Sequence, residues 1–163
     1  MYRRALQVTP NHSNTLYNYA VLLDTHLKQR LEAEGYYRKT IELEPRHAYA
    51  LYNLAVLCEE QYVKKLQLQS LLSDNNSTAS PTKNTANEAE DEILAKRKLE
   101  IGDFYRRAAE ADPKDVNSLA DYGRFLYIHL QNIPFGEQIL LAALKLDSTN
   151  EVARYHYALL LYK

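Results

Sequence analysis

The residues of this 163-residue chain that could do chemistry are few and badly spaced for catalysis. Glycines 35, 102, 123 and 136 stand alone, so no glycine-rich loop can cradle a phosphate. His26, His129 and His156 are scattered, no His-Glu-x-x-His pair occurs, and Cys58 is the single cysteine, so neither a metal nor a cofactor is expected. Carboxylate groups such as Glu59-Glu60 and the run from Glu88 to Glu92 read as solvated faces. What remains is an aromatic surplus of one kind, 14 Tyr against 3 Phe and no Trp, and hence rings that pack and also hydrogen-bond.

The elements that must position those tyrosines follow from composition. With 4 Gly and 5 Pro the chain lacks the breakers that sheet-rich domains need at their turns, which points to long helices. Hydrophobic residues at 46% and charged residues at 25% exclude wholesale disorder. A net charge of −1 offers no general attraction to nucleic acid or to an anionic membrane surface. The longest apolar stretches, such as Ile139–Leu144, are far short of a membrane span. Met1–Ala5 has no apolar run behind it, so no signal peptide is expected. A lone cysteine fits a reducing compartment, and the expected location is intracellular, in the cytoplasm.

Internal repetition organises the chain. Tyr2–Pro10, Tyr37–Pro45 and Tyr105–Pro113 align with one another, and Leu140–Ser148 is a degenerate fourth copy. Pro10 and Pro45 lie 35 apart, Pro45 and Pro113 68 apart, and Pro113 and Ser148 again 35, so the second interval holds one repeat plus 33 extra residues. The stretches after each boundary also match: Leu16-Tyr-Asn-Tyr-Ala20, Leu51-Tyr-Asn-Leu-Ala55, Leu119-Ala-Asp-Tyr-Gly123 and Arg154-Tyr-His-Tyr-Ala158. Apolar or small residues recur three, four and seven apart, as on one face of a helix. Each unit is therefore helix A, a short turn, and helix B ending near Pro, which suits a helix end because it lacks an N–H donor. Asp115 and Asn150 are expected to cap the next helix well, and His12 and His47 poorly.

This pattern resembles the tetratricopeptide repeat. Leu16, Tyr19, Ala20 and Leu23 fit its helix A, and Ala33, Tyr37, Thr40 and Pro45 its helix B. The match recurs through Leu119, Tyr122, Gly123, Leu126 and through Tyr105, Ala108, Pro113, and it covers nearly everything except residues 61–98. The resemblance implies an all-α fold, a right-handed α-solenoid of antiparallel helix pairs with a helical-arm insertion. The whole chain, 1–163, is one domain with units at about 1–11, 12–46, 47–114, 115–149 and 150–163. Ala20, Ala55, Gly123 and Ala158 take the slots where helices cross closely, and Cys58 falls in a core slot. Arg154 and Ser148 depart from the pattern in the last copy. Because the chain begins within a helix B and stops within a helix A, more repeats are expected on either side, although Met1 could also be the natural start.

The insert, about 61–98, has polar residues at its centre, 73–88, that are expected to be disordered. Its flanks, bearing Leu66, Leu68, Leu71, Leu72, Ile93, Leu94 and Leu99, are expected to extend the two helices into an antiparallel arm. Ser80-Pro81 and Asn76-Ser-Thr78 match short modification motifs in what is best read as a tolerated surface insertion.

The resemblance also implies a concave groove built from the A helices. Carried onto this sequence, its lining is Asn14, Tyr17, Asn18 and Val21, then Tyr49, Tyr52, Asn53 and Val56. The third unit contributes Asn117, Ala120, Asp121 and Arg124, and the fourth Val152, Tyr155, His156 and Leu159. Exposed tyrosines there suit recognition of a protein or peptide partner. Chaperone-binding members of the family clamp a terminal carboxylate with Lys, Arg and Asn. Here Asn53 matches, but Tyr17, Val21, Asn117 and Asp121 occupy other clamp slots, so that use is not supported. The expected function is a non-catalytic protein-interaction scaffold. The alternatives are a recruitment arm of a larger enzyme, such as a glycosyltransferase, and an RNA-binding helical repeat, which the balanced charge disfavours. Self-association through the open ends or the arm is a further expectation.

Overall fold

A computed structural model of the chain describes residues 1–75 and 85–162. Among the described residues the elements are all helical: α1 (Tyr2–Val8), α2 (Ser13–Val21), α3 (Arg30–Leu43), α4 (Ala48–Asn75), α5 (Thr85–Ala111), α6 (Val116–Ile128), α7 (Ile133–Leu146) and α8 (Glu151–Leu161). A π-helical turn, Leu22–His26, continues α2. Each helix packs on its neighbours in sequence, and α6 also meets α8. The result is an α-solenoid of antiparallel pairs, in which α2, α4, α6 and α8 are the A helices.

The boundaries between units repeat in atomic detail. Asn150 caps α8 by accepting from the Ala153 N–H at 2.9 Å, and Asp115 accepts from the Asn117 N–H at 3.2 Å. His12 and His47 do the same work, contrary to expectation: their Nδ1 atoms accept from the N–H groups of Thr15 and Ala50, each at 3.2 Å. A neutral imidazole protonated on Nε2 presents Nδ1 as an acceptor, so it satisfies an orphan donor of the first turn as a carboxylate would.

The turns from helix A to helix B also coincide. Lys28 and Gln131, equivalent positions of the first and third units, are left-handed with φ of 56° and 53°. Each follows a widened last turn, with Leu27 N–H donating to Leu22 O at 3.1 Å and Leu130 N–H to Phe125 O at 3.3 Å. In the second unit the equivalent position is Val63, in the middle of α4, and the helix runs on. There α4 and α5 pack on each other, Lys65 pairs with Glu90 at 2.9 Å, and Leu94 is buried. Residues 73–75 and 85–88, expected to be disordered, are helical. The rest of that expectation, and both short modification motifs, lie outside the described residues.

The core is a continuous stripe of Leu23, Leu51, Leu54, Phe125 and Leu140 with the helix B tyrosines Tyr37 and Tyr105. Cys58 is fully buried among them, and burial pushes its thiol up to about 12. Ala20, Ala55 and Gly123 are buried, whereas Ala158 is exposed.

A Cβ at Gly123 would lie 2.7 Å from Leu140 Cγ and 3.1 Å from Gly136 O. Gly123→Ala should therefore lower stability by about 1–3 kcal/mol, since α6 and α7 must separate to admit it. Gln131→Gly should raise stability by about 0.5–1 kcal/mol by relieving the left-handed backbone. Denaturant unfolding of each variant measures both effects.

Candidate functional site

Along the A-helix face three cavities meet at Tyr52. The largest, about 470 Å³, lies between α4 and α6 with Val56, Val63 and Lys64 on its walls and Glu59, Tyr105, Asp121 and Arg124 beneath. A second, about 310 Å³, opens toward the first unit past Asn53, Arg30 and Asp24. The third, about 420 Å³, lies at the N-terminal ends of α4 and α6, between Tyr49, Asp112, Asp115 and Asn117. Val63, Lys64 and Gln67 reach the first cavity only because α4 continues where the other units turn, so the residues read as a surface insertion supply part of a wall.

The groove floor is tied from unit to unit by a ladder of side chains. Asn53 Nδ2 donates to Tyr17 Oη at 3.2 Å, and one unit later the Tyr52 hydroxyl donates to Asp121 Oδ2 at 2.7 Å. Asn53 and Asp121 are register equivalents, so both bonds arise from one rule: the tyrosine of one A helix meets the Asn or Asp of the next. The rule stops at Ala120, which has no hydroxyl to offer, and at that step His156 Nδ1 is buried with no hydrogen-bond partner.

Beneath the ladder sits an ion-pair cluster. Arg124 donates from Nη1 and Nη2 to the two oxygens of Glu59, each at 2.6 Å, and from Nε to Asp121 Oδ1 at 3.3 Å. Tyr105 donates its hydroxyl to Glu59 at 2.7 Å, and His129 Nε2 lies 3.0 Å from the other oxygen. Burial alone would push the Glu59 carboxyl up, but the bonds from His129 and Arg124, the guanidinium charge and the Tyr105 hydroxyl hold it down at about 2. Burial and the carboxylates beside them push the Tyr52 and Tyr105 hydroxyls far above their ordinary value. These groups are spent on one another, so the groove floor is polar and internally bonded.

No family model matches the chain, and no curated protein matches it. Among solved structures, the Arabidopsis OM64 TPR domain aligns over 92% of this chain and 94% of that one, at 15% identity and a TM-score of 0.63. The fold is that of a tetratricopeptide-repeat (TPR) domain. YrrB, described as a TPR protein with an unusual peptide-binding site, aligns over 99% of this chain and 82% of that chain, at 15% identity and a TM-score of 0.41.

Within this TPR fold the residues expected to line a groove divide into groups. Tyr49, Tyr52, Asn53, Val56, Asn117 and Arg124 border the three cavities. Asn14, Asn18, Tyr155 and Leu159 are exposed outside them, and Val21 is half-buried. Tyr17 and Tyr52 are half-buried with bonded hydroxyls, so the expectation of exposed tyrosines holds for Tyr49 and Tyr155, at 59% and 61% exposure, but not for these two. Tyr17 instead packs its ring on His47, with centroids 4.8 Å apart. Glu59, read from sequence as solvated, is buried, while its neighbour Glu60 is exposed and pairs with Arg30. One signal for this was present: Arg124 stands where the other units have Val21, Val56 and Leu159, and a cation in an aliphatic slot needs a buried partner. Among the described residues no helix is long and apolar enough to cross a membrane, and no cluster of three side chains could hold a metal.

Because the folded Glu59 carboxyl titrates below its ordinary value of 4.5, its contribution is complete above that value and is lost as pH falls through about 2. Glu59→Gln should cost about 3 kcal/mol at neutral pH by leaving Arg124 uncompensated, and should flatten the acid limb of stability against pH. Urea titrations from neutral to acid pH, on both proteins, measure this.

Proposed function

We propose that this chain is a non-catalytic protein-interaction scaffold whose A-helix groove holds an extended peptide segment of a partner. The observation that carries the reading is the continuous cleft: three cavities that share Tyr52 and run from the turn after α2, past α4, to α6. Its walls combine apolar surface from Val56 and Val63 with tyrosine rings, and the amides of Asn53 and Asn117 border it. The rigid floor supports the same reading, since pre-ordered side chains lose little entropy when a segment binds. The non-catalytic part rests on chemistry. The carboxylates and hydroxyls beneath the groove bond one another, and the Cys58 thiol is buried and poorly acidic.

A displayed library of random peptides of about ten residues, matched to the length of the groove, provides the test. Binders selected on the native protein are expected to be lost on Val56→Arg, which fills two of the cavities, and kept on Leu99→Arg on the exposed side of α5. Circular dichroism should show equal helix content in all three. Binders indifferent to Val56→Arg would refute the groove.

A further inference from the structure

The cavity at the N-terminal ends of α4 and α6 differs from the rest of the groove. Tyr49 and Tyr52 flank it, and Asp112 and Asp115 stand on its other side. Each carboxylate uses one oxygen locally: Asp112 accepts from the Lys114 N–H and Asp115 from the Asn117 N–H, both at 3.2 Å. Among the described residues neither pairs with a cationic side chain, in contrast to Glu59, Glu34 and Glu100 elsewhere in the molecule. Among the described residues Lys114, also on the rim, is the one cation that borders the cavity, against two carboxylates. Aromatic rings and carboxylates that border one cavity can both attract a cation, through the ring quadrupole and through charge-assisted hydrogen bonds.

The neighbouring cavity has the opposite character. Val56, Val63, Lys64 and Gln67 line it, and the charges beneath, Glu59, Asp121 and Arg124, are bonded to one another. An apolar side chain entering there displaces water without stranding a charge. Along α4 the two cavities are centred about ten residues apart, ~15 Å at 1.5 Å per residue, which four to five residues of extended chain span.

Resting on the groove reading above, we infer that the segment it holds carries a Lys or Arg side chain, seated between Tyr49 and Tyr52 against Asp112 and Asp115, and four to five residues away an apolar side chain seated between Val56 and Val63. Charge complementarity thus selects a basic-and-apolar peptide and rejects one with an acidic residue at the first position.

The sequences of the Val56→Arg-sensitive binders from the random-peptide selection test this directly, followed by anisotropy titration of one representative synthetic peptide. Enrichment of Lys or Arg at that spacing from Leu, Ile, Val or Phe is expected. The double variant D112N/D115N should weaken the representative peptide about tenfold, and so should a Lys→Glu change in the peptide. Raising the salt should erode the difference between the two proteins. Asn caps a helix as well as Asp does, so the variant keeps its fold, and its circular dichroism should be unchanged. Groove-dependent binders without a cationic preference, or equal affinity for D112N/D115N, overturn the inference and leave the groove standing. If no selected peptide is sensitive to Val56→Arg, the groove reading fails and takes the inference with it.

Discussion

The Glu59 carboxylate sits where α4, α5 and α6 meet, and burying it there is unfavourable unless every lone pair is used. Arg124 from α6, Tyr105 from α5 and His129 at the end of α6 supply those donors, so the charge is tolerated only when the second and third units are docked in one geometry. A solenoid has no long-range contacts to fix its curvature; each unit sees only its neighbours. A buried polar cluster at one unit junction therefore fixes the angle of that junction more sharply than interlocking leucines would. The groove inherits its shape from that angle.

The Tyr17–Asn53 and Tyr52–Asp121 bonds extend the same constraint along the floor. They also explain why the chain is rich in tyrosine and not phenylalanine. At packing positions Tyr37 and Tyr105 fill volume, and the Tyr105 hydroxyl closes the Glu59 shell. At groove positions the hydroxyls tie one A helix to the next. Glu34, Arg38, Arg97 and Glu100 form a comparable set between α3 and α5, with Arg38 and Arg97 each bridging both carboxylates. The half-exposed members of that set are screened by water and contribute less than the Glu59 cluster.

The second unit departs from the others at one place. Where Lys28 and Gln131 reverse the chain with a left-handed residue, Val63 stays helical. A β-branched residue is poorly suited to positive φ, and the apolar residues beyond it, Leu66 among them, keep helical spacing, so continuation is favoured over a turn. That continuation lengthens the wall of the groove beside α6.

Helix content, the helix ends just before Pro10, Pro45 and Pro113, and burial of Cys58 could all be read from the chain alone. They depend on local chemistry and periodicity, which recur at fixed spacing and reinforce one another in each copy. The capping by His12 and His47, the burial of Glu59 and the bonded state of Tyr17 and Tyr52 could not. Each depends on a partner in another helix or on a ring orientation, and the residue type alone fits either outcome. Arg124 in a slot that is aliphatic in the other units was a legible irregularity, but its partner lies 65 residues away in sequence. Periodicity determined which residues share a face; only the side-chain contacts of α4 with α5 and α6 decided which of them stay open and which are committed to one another.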